Sequence, residues 1–200
     1  GRAMREMGRQ FVLGETIAEA LARARAAEAE GYRFSYDMLG EAARTEADAR
    51  RYMLAYSGAL AAIAGSAAGG TLDGRPGLSV KLSALHPRFE IAQRARVLDE
   101  LVPRLRALML LASDAGLGLT VDAEEQERLV LGFEVVRTAL EDPALRGWDG
   151  AGMVVQAYGR RAPALIAALD DLAAGQRRRL MVRLVKGAYW GSEGKRAQLL

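Results

Sequence analysis

"LMVRLVKGAYW", residues 180–190, is the stretch on which the fold turns. Its apolar residues are those of a buried strand, yet Arg183 stands in the middle and Lys186 follows at the end. An unpaired charge in a core costs roughly several kcal/mol, so Arg183 must face a partner. Three upstream stretches repeat the arrangement: "LSVKL" carries Lys81, "LTVDA" carries Asp122 and "MVVQA" carries Gln156. Each is apolar until one polar or charged residue at or near its carboxyl end.

Between these strands lie amphipathic segments. A first helix is predicted from Thr16, with Glu19 completing a capping box and Gly31 as the C-terminal glycine. Residues 32–39 read as an aromatic-rich strand. Thr45 and Asp48 start a second helix with Tyr52, Tyr56, Leu60 and Ile63 as its apolar stripe. After a Gly-rich connection at 64–77 the pattern alternates regularly. Strands are predicted at 77–85, 118–125, 152–158 and 180–190. Helices are predicted at 92–115 (Val97, Leu101, Leu105, Leu108), after 125 (Leu129, Phe133, Val136, Leu140), from about Pro163 (Leu165, Leu169, Leu172) and at 192–200. Pro103 predicts a kink or a late start in the second of these five helices after 45. The alternation argues for parallel βαβ units with both sheet faces covered.

In a (βα)₈ barrel, and in an open α/β sheet, ligands sit at the carboxyl ends of the strands. Lys81, Asp122, Gln156 and Arg183 are therefore expected to share one site. For any one of them an internal ion-pair network is an equal reading. Four on successive strands favour a functional site.

Composition narrows the classes further. The chain has 200 residues, half of them hydrophobic, enough for one sizeable core. It has no cysteine, which excludes disulfides and Cys-ligated metals. No apolar stretch approaches the ~20 residues needed to cross a bilayer, and the first ten residues lack the apolar core of a signal peptide. A cytoplasmic location is expected. The net charge of +3 is spread along helices, and "GQRRRL" (175–180) reads as a solvated helix end, so no nucleic-acid partner is expected. Of 28 Lys and Arg residues, only Lys81, Lys186 and Lys195 are lysine. "DAEE" (122–125) suggests a carboxylate metal cluster, but Glu124 and Glu125 also suit a helix's first turn, and no metal is expected. His86 precedes a proline and reads as structural. No G-x-G-x-x-G follows a strand. "GAYW" (187–190) suits close approach by a flat ligand, or aromatic packing at a barrel rim.

"FSYDMLGEAA", "KLSALHPRF", "DAEE", "VVQAY" and "RLVKGAYW", in this order and spacing, closely resemble the proline dehydrogenase domain of bacterial bifunctional proline-utilisation flavoproteins. "MGRQFVLGETIAEAL" resembles the segment leading into it. The resemblance implies a distorted (βα)₈ TIM-type barrel holding FAD. It implies oxidation of L-proline to Δ1-pyrroline-5-carboxylate, with hydride transfer to flavin N5 and electrons passed to a membrane quinone through peripheral contact; a homo-oligomer is compatible with it. By motif, Arg183 would lie near flavin N5 and Gln156 at the isoalloxazine edge. Val185, Lys186, Gly187, Ala188 and Trp190 would line the cofactor, with Ala188 and Tyr189 also bordering substrate. Lys81 would hold the proline carboxylate, Asp122 would lie beside flavin and substrate, and Glu41 would pair with a substrate-binding arginine as a gate. Arg183, Asp122, Lys81 and Tyr189 are the catalytic candidates.

A complete barrel of this kind takes about 250 residues, whereas five strands are predicted here. Residues 1–31 then read as a lead-in helical segment and 32–200 as a truncated barrel portion, strands one to five. Such a segment by itself is expected to bind FAD weakly and to lack activity. The rival readings are a class I aldolase with a Schiff base at Lys81 or Lys186, and a non-catalytic α/β scaffold in which the strand-end residues satisfy one another.

Overall fold

The structure is a computed structural model that describes residues 12–66 and 69–199. Residues 1–11 of the predicted lead-in, two residues of the Gly-rich connection and Leu200 lie outside the described residues. The element order is α1 (Ile17–Ala29), β1 (Ser35–Asp37), α2 (Glu46–Ser66), β2 (Gly77–Val80), α3 (Leu82–Leu85), α4 (Arg94–Asp114), β3 (Gly118–Val121), α5 (Leu129–Ala139), β4 (Ala151–Gln156), α6 (Ala162–Gln176), β5 (Met181–Val185) and α7 (Trp190–Ala197).

Local chemistry sets the helix starts. Thr16 Oγ1 accepts from Glu19 N at 3.2 Å, while the Glu19 carboxylate reaches one residue further back, to Glu15 N. Before α2 the capping box is reciprocal: Asp48 N donates to Thr45 Oγ1 at 3.1 Å and Thr45 N donates to Asp48 Oδ2 at 3.0 Å. Gly31 follows α1 with φ 98°, a backbone conformation that favours glycine. Pro103 neither breaks nor delays α4; it falls on the exposed side of the helix, where its ring meets solvent and leaves the buried stripe undisturbed.

All five strands are parallel and ordered β1-β2-β3-β4-β5, each joined to the next through helix. They form a half-barrel. In a flat sheet β1 and β5 would stand about 19 Å apart, beyond the reach of any side chain. Yet Arg183 Nη1 on β5 lies 3.4 Å from Ser35 Oγ on β1, so the sheet curls strongly around its inner face.

Several strands are shorter than the sequence predicts. The 32–39 segment contributes only three residues to the sheet. The predicted strand 77–85 ends at Val80 and turns at once into α3, whose second N–H, from Ser83, is taken by the Glu124 carboxylate at 3.0 Å. Glu124 thus caps a neighbouring helix and does not sit in the first turn of the one that follows it. Strands 118–125 and 180–190 stop at Val121 and Val185, before their terminal loops leave the sheet.

The two sheet faces differ. Leu78, Val80, Leu119, Val121, Met153 and Val155 form the outer face and pack on Tyr56, Leu60 and Ile63 of α2, Leu101, Leu105 and Leu108 of α4, and the apolar sides of α5 and α6. The inner face carries Ser35, Asp37, Ser79, Lys81, Thr120, Asp122, Gln156 and Arg183. The expectation of apolar cover on both faces is therefore corrected: the concave face satisfies its own polar groups. On β5 the outward Val182 and Leu184 are exposed. "GQRRRL" is not a solvated run throughout, since Arg178 is buried and donates to Leu140 O at 3.2 Å. No helix among the described residues is long and apolar enough to cross a membrane.

Ile63 is fully buried between α2 and the sheet. Ile63→Ala is expected to destabilise the fold by ~2–5 kcal/mol in urea titrations, through lost burial plus an unfilled cavity. Asp48 is held down to about 2, chiefly by its bond from Arg51 and also by the Thr45 cap. A lowered carboxyl contributes stability above its unfolded value of about 3.9, and that contribution disappears as pH falls through the folded value. The stability gap between wild type and Asp48→Ala should therefore be constant above pH ~5 and shrink progressively between pH ~5 and pH ~1 in thermal melts.

Candidate active site at the strand ends

The register brings the strand-end residues together. Val80 pairs with Val121, and Val154 with Arg183, which sets Lys81 beside Asp122 and Arg183 two strands beyond Asp122, across β4, all on the concave face. Lys81 Nζ donates to Asp122 Oδ2 at 3.0 Å and to Asp37 Oδ1 at 2.8 Å. Arg183 Nη2 donates to the other oxygen of Asp122, and its Nη1 donates to Ser79 Oγ at 3.1 Å. Ser35 and Ser79 hydroxyls are 3.1 Å apart beneath it. The Lys81 backbone N–H donates to the buried Tyr56 hydroxyl at 3.2 Å, so the lysine's main chain is pinned as well.

Two cations and two carboxylates thus share one polar cluster. Burial opposes the charge on Lys81, but the bonds to Asp37 and Asp122 outweigh it and hold the ammonium above its ordinary pKa. Burial pushes the Asp122 carboxyl upward against the opposing pull of Lys81 and Arg183. Burial likewise lifts the Tyr56 hydroxyl to about 12. A Schiff-base lysine needs a depressed pKa; Lys81 is moved the opposite way.

Gln156 shares the face but has a second task. Its Nε2 donates to Glu124 O at 2.8 Å and its Oε1 accepts from Ala188 N at 2.8 Å, so one amide ties the loop after β3 to the loop after β5. Val185, in register with Gln156, is half-buried at the end of β5. Beyond it Lys186, Ala188 and Trp190 are exposed on the rim. Gly187 has φ 131° and packs against the Tyr158 ring, where a Cβ would lie 2.2 Å from a ring carbon; only glycine fits. Tyr189 has φ 60° and caps α7, a strained position of the kind that gathers at functional sites. Its hydroxyl donates to Glu41 Oε2 at 3.0 Å, which draws the loop after β1 onto the loop after β5. Burial and this bond raise the Tyr189 hydroxyl. Glu41, expected to pair with an arginine, is held in this structure by a tyrosine.

The structure therefore joins Lys81, Asp122 and Arg183 directly, places Gln156 and Val185 beside them, and arranges Lys186 to Trp190 with Glu41 as a rim. The carboxylates of "DAEE" divide: Asp122 meets Lys81 and Arg183, whereas Glu124 and Glu125 share Arg128 and Glu124 also accepts from Ser83 N. Among the described residues no group of three or more His, Cys, Asp or Glu is set to hold a metal. His86 is buried against Glu100 and accepts from Arg88 N, a structural role. Sequence reasoning missed Asp37, Ser35 and Ser79. The signal was the period-two alternation of "SYD", which puts Ser35 and Asp37 on one face.

Comparison with known proteins bears on the family and the fold. The proline dehydrogenase family model matches residues 20–200. The bifunctional protein PutA of Escherichia coli (strain K12) is 55% identical over 197 residues, covering 98% of this chain and 15% of that protein. A crystal structure of PutA from Bradyrhizobium japonicum superposes with TM-score 0.87 at 55% identity, covering 99% of this chain and 20% of that one. PutA from Bdellovibrio bacteriovorus inactivated by N-propargylglycine superposes with TM-score 0.91 at 28% identity, covering 98% and 22%. The chain spans about 15% of the length of the curated relatives it matches first. With a matching family model over nearly its whole length, and a half-barrel that superposes on these structures, the chain belongs to the proline dehydrogenase family.

Proposed function

We propose that this chain supplies the strand-end part of an FAD-dependent proline dehydrogenase site, which oxidises L-proline to Δ1-pyrroline-5-carboxylate and passes the electrons to a quinone. The observation that carries the proposal is the Lys81–Asp122–Arg183 cluster on the concave sheet face. The donor set suits a flavin and a carboxylate substrate: two fixed cations at the strand ends, a side-chain-free Gly187, and an open rim at Lys186, Ala188 and Trp190. That a relative is inactivated by N-propargylglycine, an amino acid, supports an amino-acid substrate.

When bound, the flavin supplies the acceptor for a hydride from the ring carbon beside the proline nitrogen; the protein supplies binding, orientation and field. Lys81 would hold the substrate carboxylate through an ammonium kept charged at all working pH values. Arg183 would hold fixed positive charge near flavin N5, where negative charge builds during the transfer, and its two bonds to Asp122 and Ser79 keep it from rotating away. Asp122 orients both cations. Gln156, Val185, Lys186, Gly187, Ala188 and Trp190 would line the cofactor, and Tyr189 with Glu41 would close the substrate side of the rim.

The proposal is tested by proline:dye oxidoreductase assays on a flavin-loaded protein in which these residues stand within a complete barrel, and absence of proline-dependent dye reduction there overturns it. Lys81→Met is expected to raise KM for proline at least ~10-fold with a smaller loss in kcat, whereas Arg183→Met should lower kcat by about 10²-fold or more. Equal effects of both variants on both constants would contradict this division. Asp122→Ala leaves Arg183 without a carboxylate and Lys81 with Asp37 alone, and is expected to cost about 2 kcal/mol in urea unfolding, less than a fully buried pair because Arg183 is partly exposed; a cost under about 0.5 kcal/mol would mean that the cluster does not hold the half-barrel together.

A further inference from the structure

Lys81 has two carboxylate partners of unequal standing. Asp122 is buried, its side chain 11% exposed, and it also anchors Arg183. Asp37 sits at the end of β1, and its side chain is 47% exposed although its Oδ1 lies 2.8 Å from Lys81 Nζ. The Lys81 side chain is itself 15% exposed. An ammonium has three donors, and the two carboxylates engage two of them. With two cations and two anions the cluster has no net charge, so a third carboxylate arriving at Lys81 meets little attraction and the direct repulsion of Asp37.

The two carboxylates differ in what their departure would cost. Release of Asp122 would unpair Arg183 and leave a buried carboxylate without donors. Release of Asp37 leaves an exposed carboxylate to water, at small cost.

We propose that Asp37 is a built-in competitor for the substrate's carboxylate: it occupies Lys81 in the ligand-free protein and yields that ammonium when a small α-amino acid binds. The inference rests on the proposed proline-oxidising function and assigns Asp37 a role in substrate affinity, outside the chemical step. Between turnovers Asp37 keeps the ammonium charged and in place, and its displacement makes Lys81 selective for ligands whose carboxylate outcompetes an aspartate already in position.

The test uses tetrahydrofuran-2-carboxylate, which keeps proline's ring and carboxylate and lacks its amine. Its dissociation constant is measured by titration calorimetry on the flavin-loaded protein with a complete barrel, for wild type, Asp37→Asn and Asp37→Ala. Both variants are expected to bind about five- to tenfold more tightly, with the gain shrinking in 1 M salt as surface charges are screened. In the wild type the ¹³C carboxyl resonance of Asp37 should shift on ligand addition while that of Asp122 holds, a measurement that stands if either variant fails to fold. Unchanged or weaker binding in the folded variants, or a stationary Asp37 resonance, overturns the inference and makes Asp37 an anchor for Lys81. Weaker binding of proline alone, with the ether acid unaffected, overturns it in favour of a contact to the substrate amine. A wild-type protein that binds no ether acid overturns the proposed function together with the inference.

Discussion

A partly exposed guanidinium on the last described strand, held by acceptors on three other strands, is the interaction from which much of this structure follows. Arg183 reaches across the concave face to Asp122 on β3, Ser79 on β2 and Ser35 on β1. Those contacts exist only if five parallel strands curl toward one another. Curvature and charge pairing therefore support each other: a flatter sheet would carry Arg183 away from Asp122, Ser79 and Ser35 while Lys81 kept its carboxylates on the adjacent strands, and an apolar inner face would give a curled sheet no polar cluster to close around. Because both cations lean on Asp122, that single buried carboxylate joins three strands.

The two faces of the sheet divide the work. The outer face is branched and aliphatic and is covered by α2, α4, α5 and α6, which supplies the burial that makes the half-barrel stable. The inner face spends part of that stability on polar groups with low tolerance for rearrangement, which suits a site whose side chains must stay oriented. At its upper edge the loops are joined by specific bonds. Gln156 links the loops after β3 and β5, Tyr189 links those after β1 and β5, and Gly187 lets the last of these pass close under Tyr158. The positive φ of Tyr189 is a local strain that the surrounding bonds must hold.

Much of the candidate site was legible in the chain. One polar residue at the end of each apolar run singled out Lys81, Asp122, Gln156 and Arg183, because parallel strands end on one rim. The alternation could not reveal partners. Asp37 lies in an aromatic-rich segment of which only Ser35–Asp37 pairs with the sheet, and nothing local marks it as Lys81's second carboxylate. Glu124 looked like a helix-start acid by position, but its target, Ser83, is 41 residues away. Arg178 looked solvated within a basic run, and tertiary packing buried it against Leu140.

Sequence alone determined the element order, the parallel topology and the identity of the cationic strand-end residues, because hydrophobic periodicity and capping chemistry are local properties of neighbouring residues. The tertiary structure decided where the strands stop, how far the sheet curls, and which carboxylate meets which cation. Those outcomes depend on distances between residues tens to more than a hundred positions apart, such as Lys81 and Asp37 or Arg183 and Ser79, and on the burial each pair acquires only once the sheet has closed around them.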